Sequence, residues 1–148
     1  MRWSTKTLRL ATGSTSNRVL ADTSVAVDQE SLAAVASDTE IAISALTFAE
    51  LLVGLHTAGN ELMRARRKAH LLRIESWVEA LPFDLACARA WARIYVAIER
   101  IGRKPRGSRA MDLMIAATAL AHDLPLYTLN PKDLRGLEGL IEIVDVGS

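Results

Sequence analysis

Short apolar runs alternate with longer stretches of helical spacing along this chain of 148 residues. The apolar runs predict strands at Arg18–Ala21, Glu40–Ser44, 125–129 and 141–146. Helical spacing is found at 45–58, 61–79, after Asp84 and at about 109–122. Strands that alternate with helices are typical of a central, mostly parallel sheet covered on both faces. The sequence therefore predicts an α/β fold, a three-layer α/β/α domain.

The helix expected after Asp84 has the clearest apolar stripe. Asp84 fits the N-cap position, where a carboxylate accepts an unpaired backbone N–H. Residues at helical spacing after it are predicted to be core, and they are Cys87, Ala90, Trp91, Ile94, Ile98 and Ile101. Between this helix and the last one, residues 100–109 form a basic loop that contains Gly and Pro, and the last helix is predicted to hold Asp112 in its first turn.

Residues 1–17 differ from the rest of the chain. They are rich in Ser and Thr and contain Arg2, Lys6 and Arg9 without any acidic residue. They also lack the apolar stretch of a secretory signal. We expect a flexible tail at 1–17 and a single folded domain at 18–148, since chain ends are commonly poorly ordered. An arm that contacts RNA and a misassigned start codon are the alternatives for the tail.

Composition excludes several classes of protein. The chain is 50% hydrophobic and 24% charged with a net charge of +1, which is typical of a soluble globular protein and not of a strongly basic nucleic-acid binder. Cys87 is the only cysteine, which excludes an internal disulfide and favours a reducing compartment such as the cytoplasm. No apolar run is long enough to span a bilayer.

Three carboxylates lie in apolar surroundings, without a Lys or Arg beside them. They are Asp22 in Val-Leu-Ala-Asp-Thr-Ser, Glu50 in Thr-Phe-Ala-Glu-Leu-Leu, and Asp112 in Ala-Met-Asp-Leu-Met-Ile. An ionised carboxylate removed from water needs a cation or several hydrogen-bond donors. In parallel sheets the site lies beyond the carboxyl ends of the strands, so distant acids can meet there. We therefore favour one shared divalent ion.

Each acid also has a structural explanation that needs no metal. Asp22 could cap the turn after a strand, Glu50 could pair with a basic side chain across the fold, and Asp112 could be a first-turn helix acid. One cation is more economical than three separate compensations. His56, His70 and His122 lack the spacing of a zinc-ligand pair, so a histidine-bound transition metal is not expected.

Four segments in order resemble the motifs of a known family. They are Asp22-Thr23-Ser24, residues 47–54 (Thr-Phe-Ala-Glu-Leu-Leu-Val-Gly), 112–119 (Asp-Leu-Met-Ile-Ala-Ala-Thr-Ala) and 127–134 (Tyr-Thr-Leu-Asn-Pro-Lys-Asp-Leu). Together they resemble the PIN-domain ribonucleases, specifically the VapC toxins of bacterial toxin–antitoxin pairs. The resemblance implies a Mg²⁺- or Mn²⁺-dependent endoribonuclease that cuts tRNA or ribosomal RNA. It also implies a homodimer and a small VapB-type antitoxin whose C-terminal segment blocks the acidic pocket.

The resemblance implies roles for individual residues. Asp22 and Asp112 would be the principal metal ligands, and Glu50 would complete the cluster directly or through water. Supporting hydroxyls would come from Thr23, Ser24 and Thr128. Asn130 stands where many PIN domains have Asp, and Asp133 follows it. Because an amide brings no charge, the fourth site residue and a second metal ion are open.

Basic residues ahead of Asp112 are candidates for holding the RNA backbone, and these are Arg100, Arg103, Lys104, Arg106 and Arg109. A solvated linker is the alternative. A solvated helix face is favoured for the basic residues of 64–68. Exposed apolar positions expected at Leu71, Ile74 and Trp77 would serve the homodimer or the antitoxin. Trp77 and Trp91 are expected to be core or dimer residues and not base-stacking platforms.

The residue types suit hydrolysis of a phosphodiester by water, which would leave a 5′-phosphate and a 3′-hydroxyl. Two alternatives differ in class. A degenerate PIN domain would bind RNA or a protein without cutting, and Asn130 keeps this alternative open. A haloacid-dehalogenase-type phosphatase also has an Asp after a strand, but Ser24 stands where its second acid would be.

Overall fold

Five parallel strands form the centre of the protein. The structure is a computed structural model that describes residues 17–147. The strands are β1 (Arg18–Ala21), β2 (Glu40–Ser44), β3 (Glu79–Leu81), β4 (Leu126–Thr128) and β5 (Ile143–Asp145). Their order in the sheet is β3-β2-β1-β4-β5, and all four neighbouring pairs are parallel. The predicted tail lies outside the described residues except for Asn17, whose carbonyl accepts the Glu40 N–H at 3.0 Å.

Helices cover both faces of this sheet, which confirms the three-layer α/β/α prediction. They are α1 (Thr23–Ala26), α2 (Gln29–Ala36), α3 (Ala45–His56), α4 (Glu61–Trp77), α5 (Leu85–Arg100) and α6 (Ser108–Ala121). Leu20 packs with α5 and α6 in one apolar cluster, whereas Val19 packs with α1, α2 and the end of α4 in another. Successive strand residues point to opposite faces, so a strand covered on both faces needs consecutive apolar residues.

Polar side chains begin the helices that position the site. Asp84 accepts the Cys87 N–H at 3.1 Å, which confirms the predicted N-cap of α5. Ser44 accepts the Leu46 N–H at 3.0 Å and so starts α3 directly after β2. Asn60 accepts the Met63 N–H at 2.8 Å and starts α4. Each cap satisfies a backbone donor that a helix leaves unpaired in its first turn.

Strand β3 and the helices α1 and α2 are not in the sequence prediction. Residues 79–81 form β3, although the pattern placed Glu79 at the end of the preceding helix. This edge strand exists because it pairs with β2, where Ala42 lies opposite Glu79 and Ser44 opposite Leu81. Helix α2 was also missed, and it buries only Leu32 and Val35 against the sheet. The predicted strands at 125–129 and 141–146 are confirmed but shorter.

Burial corrects three predicted positions. Ile101 was predicted to be the last core residue of α5, but it is 43% exposed because the helix ends one residue earlier, at Arg100. Leu71 and Ile74 are buried on the inner face of α4, so they do not form an exposed apolar surface. Trp77 is 49% exposed, as predicted, because it lies in the last turn of α4. Trp91 is half-buried against the core and meets Tyr95 edge-on, with ring centroids 6.1 Å apart.

The predicted core thiol is found. Cys87 is fully buried, and burial raises the pKa of its thiol above the usual value. Helix α4 is the longest helix of the described residues at 17 residues, and none of the helices in 17–147 is both long and apolar enough to cross a bilayer.

Candidate active site

The charges of three acidic side chains from separate parts of the chain act on a fourth, Asp112, at the carboxyl end of the sheet. Asp22 directly follows β1, Glu50 lies in α3, Asp112 in α6, and Asp133 in a 3₁₀ helix (Pro131–Leu134) after β4. Burial, which is the largest cause, and the charges of Glu50, Asp22 and Asp133 together raise the pKa of Asp112 to about 6. The structure therefore brings these carboxylates into a common electrostatic field.

Asp112 lies deeper in its helix than the sequence pattern indicated. Helix α6 begins at Ser108, so Asp112 is its fifth residue and not a first-turn acid. The early start follows Gly107, which has φ +59° and lets the basic loop turn directly into the helix. Since the effect of a helix dipole falls off within the first turn, the dipole gives Asp112 little stabilisation.

Ser24 holds Asp22 and joins two strand ends. Its hydroxyl donates to Asp22 Oδ1 at 2.6 Å, while the Val25 N–H donates to the same oxygen at 3.2 Å. The Ser24 oxygen in turn accepts the Leu129 N–H at 2.9 Å, just beyond β4. Asp22 therefore caps α1, as one alternative proposed, while its charge also acts on Asp112.

Thr128 supports the loop after β4. Its hydroxyl oxygen accepts the Asn130 N–H at 3.0 Å and lies 3.5 Å from Ser24 Oγ. The Asn130 side chain is exposed and makes no cap to the 3₁₀ helix, whereas the Asn130 carbonyl accepts the Asp133 N–H at 3.1 Å. Of these two candidates for the fourth site residue, Asp133 is the one whose charge acts on Asp112.

A pair of threonine hydroxyls holds Glu50. Thr23 O–H donates to Glu50 Oε1, and the hydroxyl oxygens of Thr23 and Thr47 lie 3.1 Å apart. Because Thr23 has one hydroxyl proton, Thr47 O–H must supply the second bond. Thr47 is fully buried, and it is a site residue that was not predicted from the sequence. Its sequence signals are its place at the start of the motif at 47–54 and its position three residues before Glu50, which places both on one face of α3.

These residues fit a divalent cation. Mg²⁺ and Mn²⁺ prefer oxygen ligands, such as those of carboxylates. Neither of the ion pairs found in residues 17–147 involves Asp22, Glu50 or Asp112, and Arg109 is the cation that lowers the pKa of Asp112. Within the same residues no three His, Cys, Asp or Glu side chains are grouped so that they could hold one metal ion together, so a cation here would have at most two direct side-chain ligands of these types. The cluster therefore carries excess negative charge that a cation would relieve.

The basic loop between α5 and α6 lies next to Asp112. An open depression of about 700 Å³ is lined by Arg103, Lys104, Arg106 and Arg109 together with Gly102 and Ser108. Arg103 Nη1 donates to the Lys132 carbonyl at 3.4 Å, so the loop contacts the 3₁₀ helix that contains Asp133. Positive charge is thus concentrated beside the acidic cluster.

Comparison with known proteins identifies the family. The family model described as PIN domain matches residues 19–138. The chain belongs to the PIN-domain family. This PIN domain is 34% identical over 106 residues to Ribonuclease VapC1 of Rickettsia felis, covering 72% of this chain and 76% of that protein. It is 37% identical over 108 residues to Ribonuclease VapC5 of Mycobacterium tuberculosis, again covering 72% and 76%.

Solved structures agree with this assignment. The crystal structure of VapBC-5 from Mycobacterium tuberculosis, a member of the VapBC family of toxin-antitoxin systems, aligns with a TM-score of 0.73 at 34% identity. The alignment covers 87% of this PIN domain and 98% of that chain. FitAcB from Neisseria gonorrhoeae aligns with a TM-score of 0.72 at 24% identity over 86% of this chain and 97% of its own, which shows the shared fold alone.

Proposed function

We propose that this PIN domain is a VapC-type endoribonuclease toxin that depends on Mg²⁺ or Mn²⁺. The observation that carries the proposal is the convergence of Asp22, Glu50 and Asp133 on Asp112, where their charges add to the effect of burial in raising the pKa of Asp112 to about 6. The same chain is 37% identical to a protein named Ribonuclease VapC5, which supports RNA as the substrate.

Asp22 and Asp112 would hold the cation, with Glu50 bound through water and Asp133 as the fourth acid. A bound divalent cation relieves charge on the phosphodiester and lowers the pKa of water. The chain's own residues prepare the site for this chemistry. Ser24 and the Val25 N–H orient Asp22, and Thr23 orients Glu50. Water attacking in line at phosphorus would leave a 5′-phosphate and a 3′-hydroxyl.

The basic loop would hold the RNA backbone. Arg103, Lys104, Arg106 and Arg109 surround an open depression beside Asp112, so phosphates bound there lie next to the acids. Backbone contacts of this kind supply affinity without sequence specificity. We further propose that the RNA cut is a tRNA or ribosomal RNA and that cleavage takes place in the cytoplasm and blocks translation.

A VapB-like antitoxin and a second copy of the chain are the proposed protein partners. The related M. tuberculosis structure contains a VapBC toxin–antitoxin system, which supports an antitoxin. Large exposed apolar side chains occur near the turn between α3 and α4, at Leu52, Val53, Leu62 and Met63. These positions and Trp77 are among the exposed apolar side chains available to a partner, whereas Leu71 and Ile74 are buried. The nuclease domain is proposed to be residues 18–148.

Sequencing RNA ends after expression tests the proposal. Cells that express the wild-type chain should accumulate new 5′-phosphate ends at defined sites in tRNA or ribosomal RNA, whereas cells that express Asp22→Asn should not. Addition of EDTA to the purified protein should stop cleavage. Ends that bear 2′,3′-cyclic phosphate would contradict the mechanism. RNA binding without any difference in RNA ends between wild type and variant would support a non-cleaving PIN domain instead.

Thr47→Val should weaken cleavage by about tenfold while leaving the fold intact. Valine matches the size of threonine but cannot donate to Thr23, so Glu50 loses the second member of its hydroxyl pair. Groups that orient metal ligands typically contribute 10–100-fold, and Thr47 acts on Glu50 only through Thr23. The measurement is the rate of RNA cleavage at saturating and subsaturating Mg²⁺.

Two matched variants separate positioning from packing. Thr47→Ser keeps the hydroxyl and should retain most of the rate. Thr57→Val removes a hydroxyl that donates to the Val53 carbonyl at 2.9 Å at the exposed end of the same helix, and it should leave the rate unchanged. Equal rates for Thr47→Val and Thr57→Val would show that the Thr47 hydroxyl does not position Glu50.

A further inference from the structure

A cavity of about 420 Å³ lies between α3, α4 and the start of α2, and Glu50 is part of its wall. Three aliphatic side chains also line it, namely Val27, Leu51 and Leu71. Sites for small organic groups are typically about 300–1,000 Å³, mostly apolar, and contain a few polar groups that set orientation. Because Glu50 belongs both to the acidic cluster and to this wall, a group bound in the cavity would lie directly beside the reacting phosphate.

Two arginines place positive charge in this cavity. Arg66 and Arg67 of α4 both line it and both are exposed, which agrees with the solvated helix face predicted for the basic residues of 64–68. Arg67 Nη1 donates to the Gly54 carbonyl, which ties its guanidinium to α3 one turn after Glu50. The remaining N–H groups of a guanidinium are well suited to phosphate oxygens.

We propose that this cavity binds one nucleotide of single-stranded RNA adjacent to the bond that is cut. The phosphate of that nucleotide contacts Arg66 and Arg67, and its base packs against Val27, Leu51 and Leu71. The inference depends on the proposed RNA-cleaving function. Sequence-specific recognition of RNA commonly uses unpaired bases that leave the stack and enter protein pockets.

Gln29 gives the cavity a means to read the base. Its amide is exposed and lines the same cavity, and an amide offers both a donor and an acceptor to the edge of a base. Charge complementarity and continuity with Glu50 favour a nucleic acid over a protein segment. The phosphodiester that is cut must lie at the acidic cluster. Arg66 and Arg67 line the same cavity as Glu50, so they can contact the neighbouring phosphate.

RNA binding by variants on α4 tests the inference. The proteins carry Asp22→Asn to prevent cleavage, and the probe is a fluorescent single-stranded RNA of mixed sequence measured by anisotropy over a range of KCl concentrations. The double variant Arg66→Ala/Arg67→Ala should bind about tenfold more weakly at low salt, as expected when contacts to charged groups are lost. The slope of log affinity against log salt should become shallower by roughly 0.7, the value for one phosphate contact on a single strand.

Three further variants make the result specific. Arg73→Ala removes an exposed charge of the same helix that does not line the cavity, and it should leave affinity and slope unchanged. Arg66→Ala alone keeps the bond between Arg67 and Gly54, so a partial loss in this variant cannot come from separation of α3 and α4. Gln29→Ala should alter the preference among homopolymer RNAs more than the salt slope.

Equal affinity and equal slope for the double variant and Arg73→Ala would overturn the inference. If the wild-type chain still cleaves RNA in that case, the nuclease function stands and only the nucleotide site is lost. If the wild type neither binds nor cleaves RNA, both proposals fail. A double variant that binds RNA normally but no longer binds the antitoxin would assign the cavity to a protein partner, against the inference.

Discussion

Asp112→Asn is expected to abolish RNA cleavage and at the same time to stabilise the metal-free protein at neutral pH. Loss of this carboxylate removes a principal ligand of the proposed cation. Charge relief by a metal ion contributes several kcal/mol to a phosphodiester transition state, so a fall in rate on the order of 10³-fold is expected. The rate is measured with RNA in the presence of Mg²⁺.

The stability gain follows from the pKa of Asp112, which is raised from its usual 3.8 to about 6 chiefly by burial and then by Glu50 and Asp22. Between those pH values the folded state binds more protons than the unfolded state, so stability falls as pH rises through this window. The cost is absent below about pH 3.8 and complete above about 6. The shift corresponds to at most about 3 kcal/mol. Solvent screening of a half-buried carboxyl reduces that cost to about 1–2 kcal/mol.

Urea denaturation in EDTA is the measurement, carried out near neutral pH and again near pH 4. The gain of Asp112→Asn over wild type should appear at neutral pH and largely disappear near pH 4, where Asp112 is protonated in the folded state and close to half-protonated in the unfolded state. Asp38→Asn is the matched control, since Asp38 is exposed and outside the cluster, and it should change little at either pH. A variant less stable than wild type at neutral pH would argue against electrostatic repulsion among the acids.

Ser24→Ala is expected to impair both stability and cleavage. The Ser24 hydroxyl donates to Asp22 Oδ1 at 2.6 Å and accepts the Leu129 N–H at 2.9 Å, so it links the ends of β1 and β4. Removing it leaves a partly buried backbone N–H without its acceptor, which costs about 1–3 kcal/mol in the free energy of unfolding. Asp22 also loses its side-chain donor, and a loss of about 10–100-fold in rate is expected for such an orienting group.

Ser31→Ala provides the comparison for this prediction. Ser31 also donates to an acid, at 2.7 Å from Asp28 Oδ2, but this bond lies at the start of α2. It should cost less than about 1 kcal/mol and leave the cleavage rate unchanged. Denaturation curves and RNA cleavage rates are measured for both variants. If Ser24→Ala and Ser31→Ala behave alike, the bond to Leu129 does not join the strand ends in the way described.

Sequence patterns predicted most of the sheet and helices because their signals are local. Apolar runs identified β1, β2 and β4, and caps such as Asp84 marked where helices begin. Strand β3 could not be found this way, since its three residues form a strand only through pairing with β2. The exposure of α4 was misjudged for a similar reason. A helical stripe such as Leu71 and Ile74 shows that one face is apolar but not whether the chain's own sheet or a partner covers it.

For the site, the sequence by itself determined which acids are candidates, because isolated carboxylates in apolar segments and four ordered motifs are visible in one dimension. Only the tertiary structure decided which groups act on which. The charge of Asp133 acts on Asp112 only in the folded chain. The hydroxyls of Thr47 and Thr23 likewise meet only there, beside Glu50. Arg66 and Arg67 line a cavity together with Glu50 because α3 and α4 pack side by side. The physical reason is that Coulomb forces and hydrogen bonds depend on distance in space, and segments far apart in sequence meet only when the strands are ordered in the sheet.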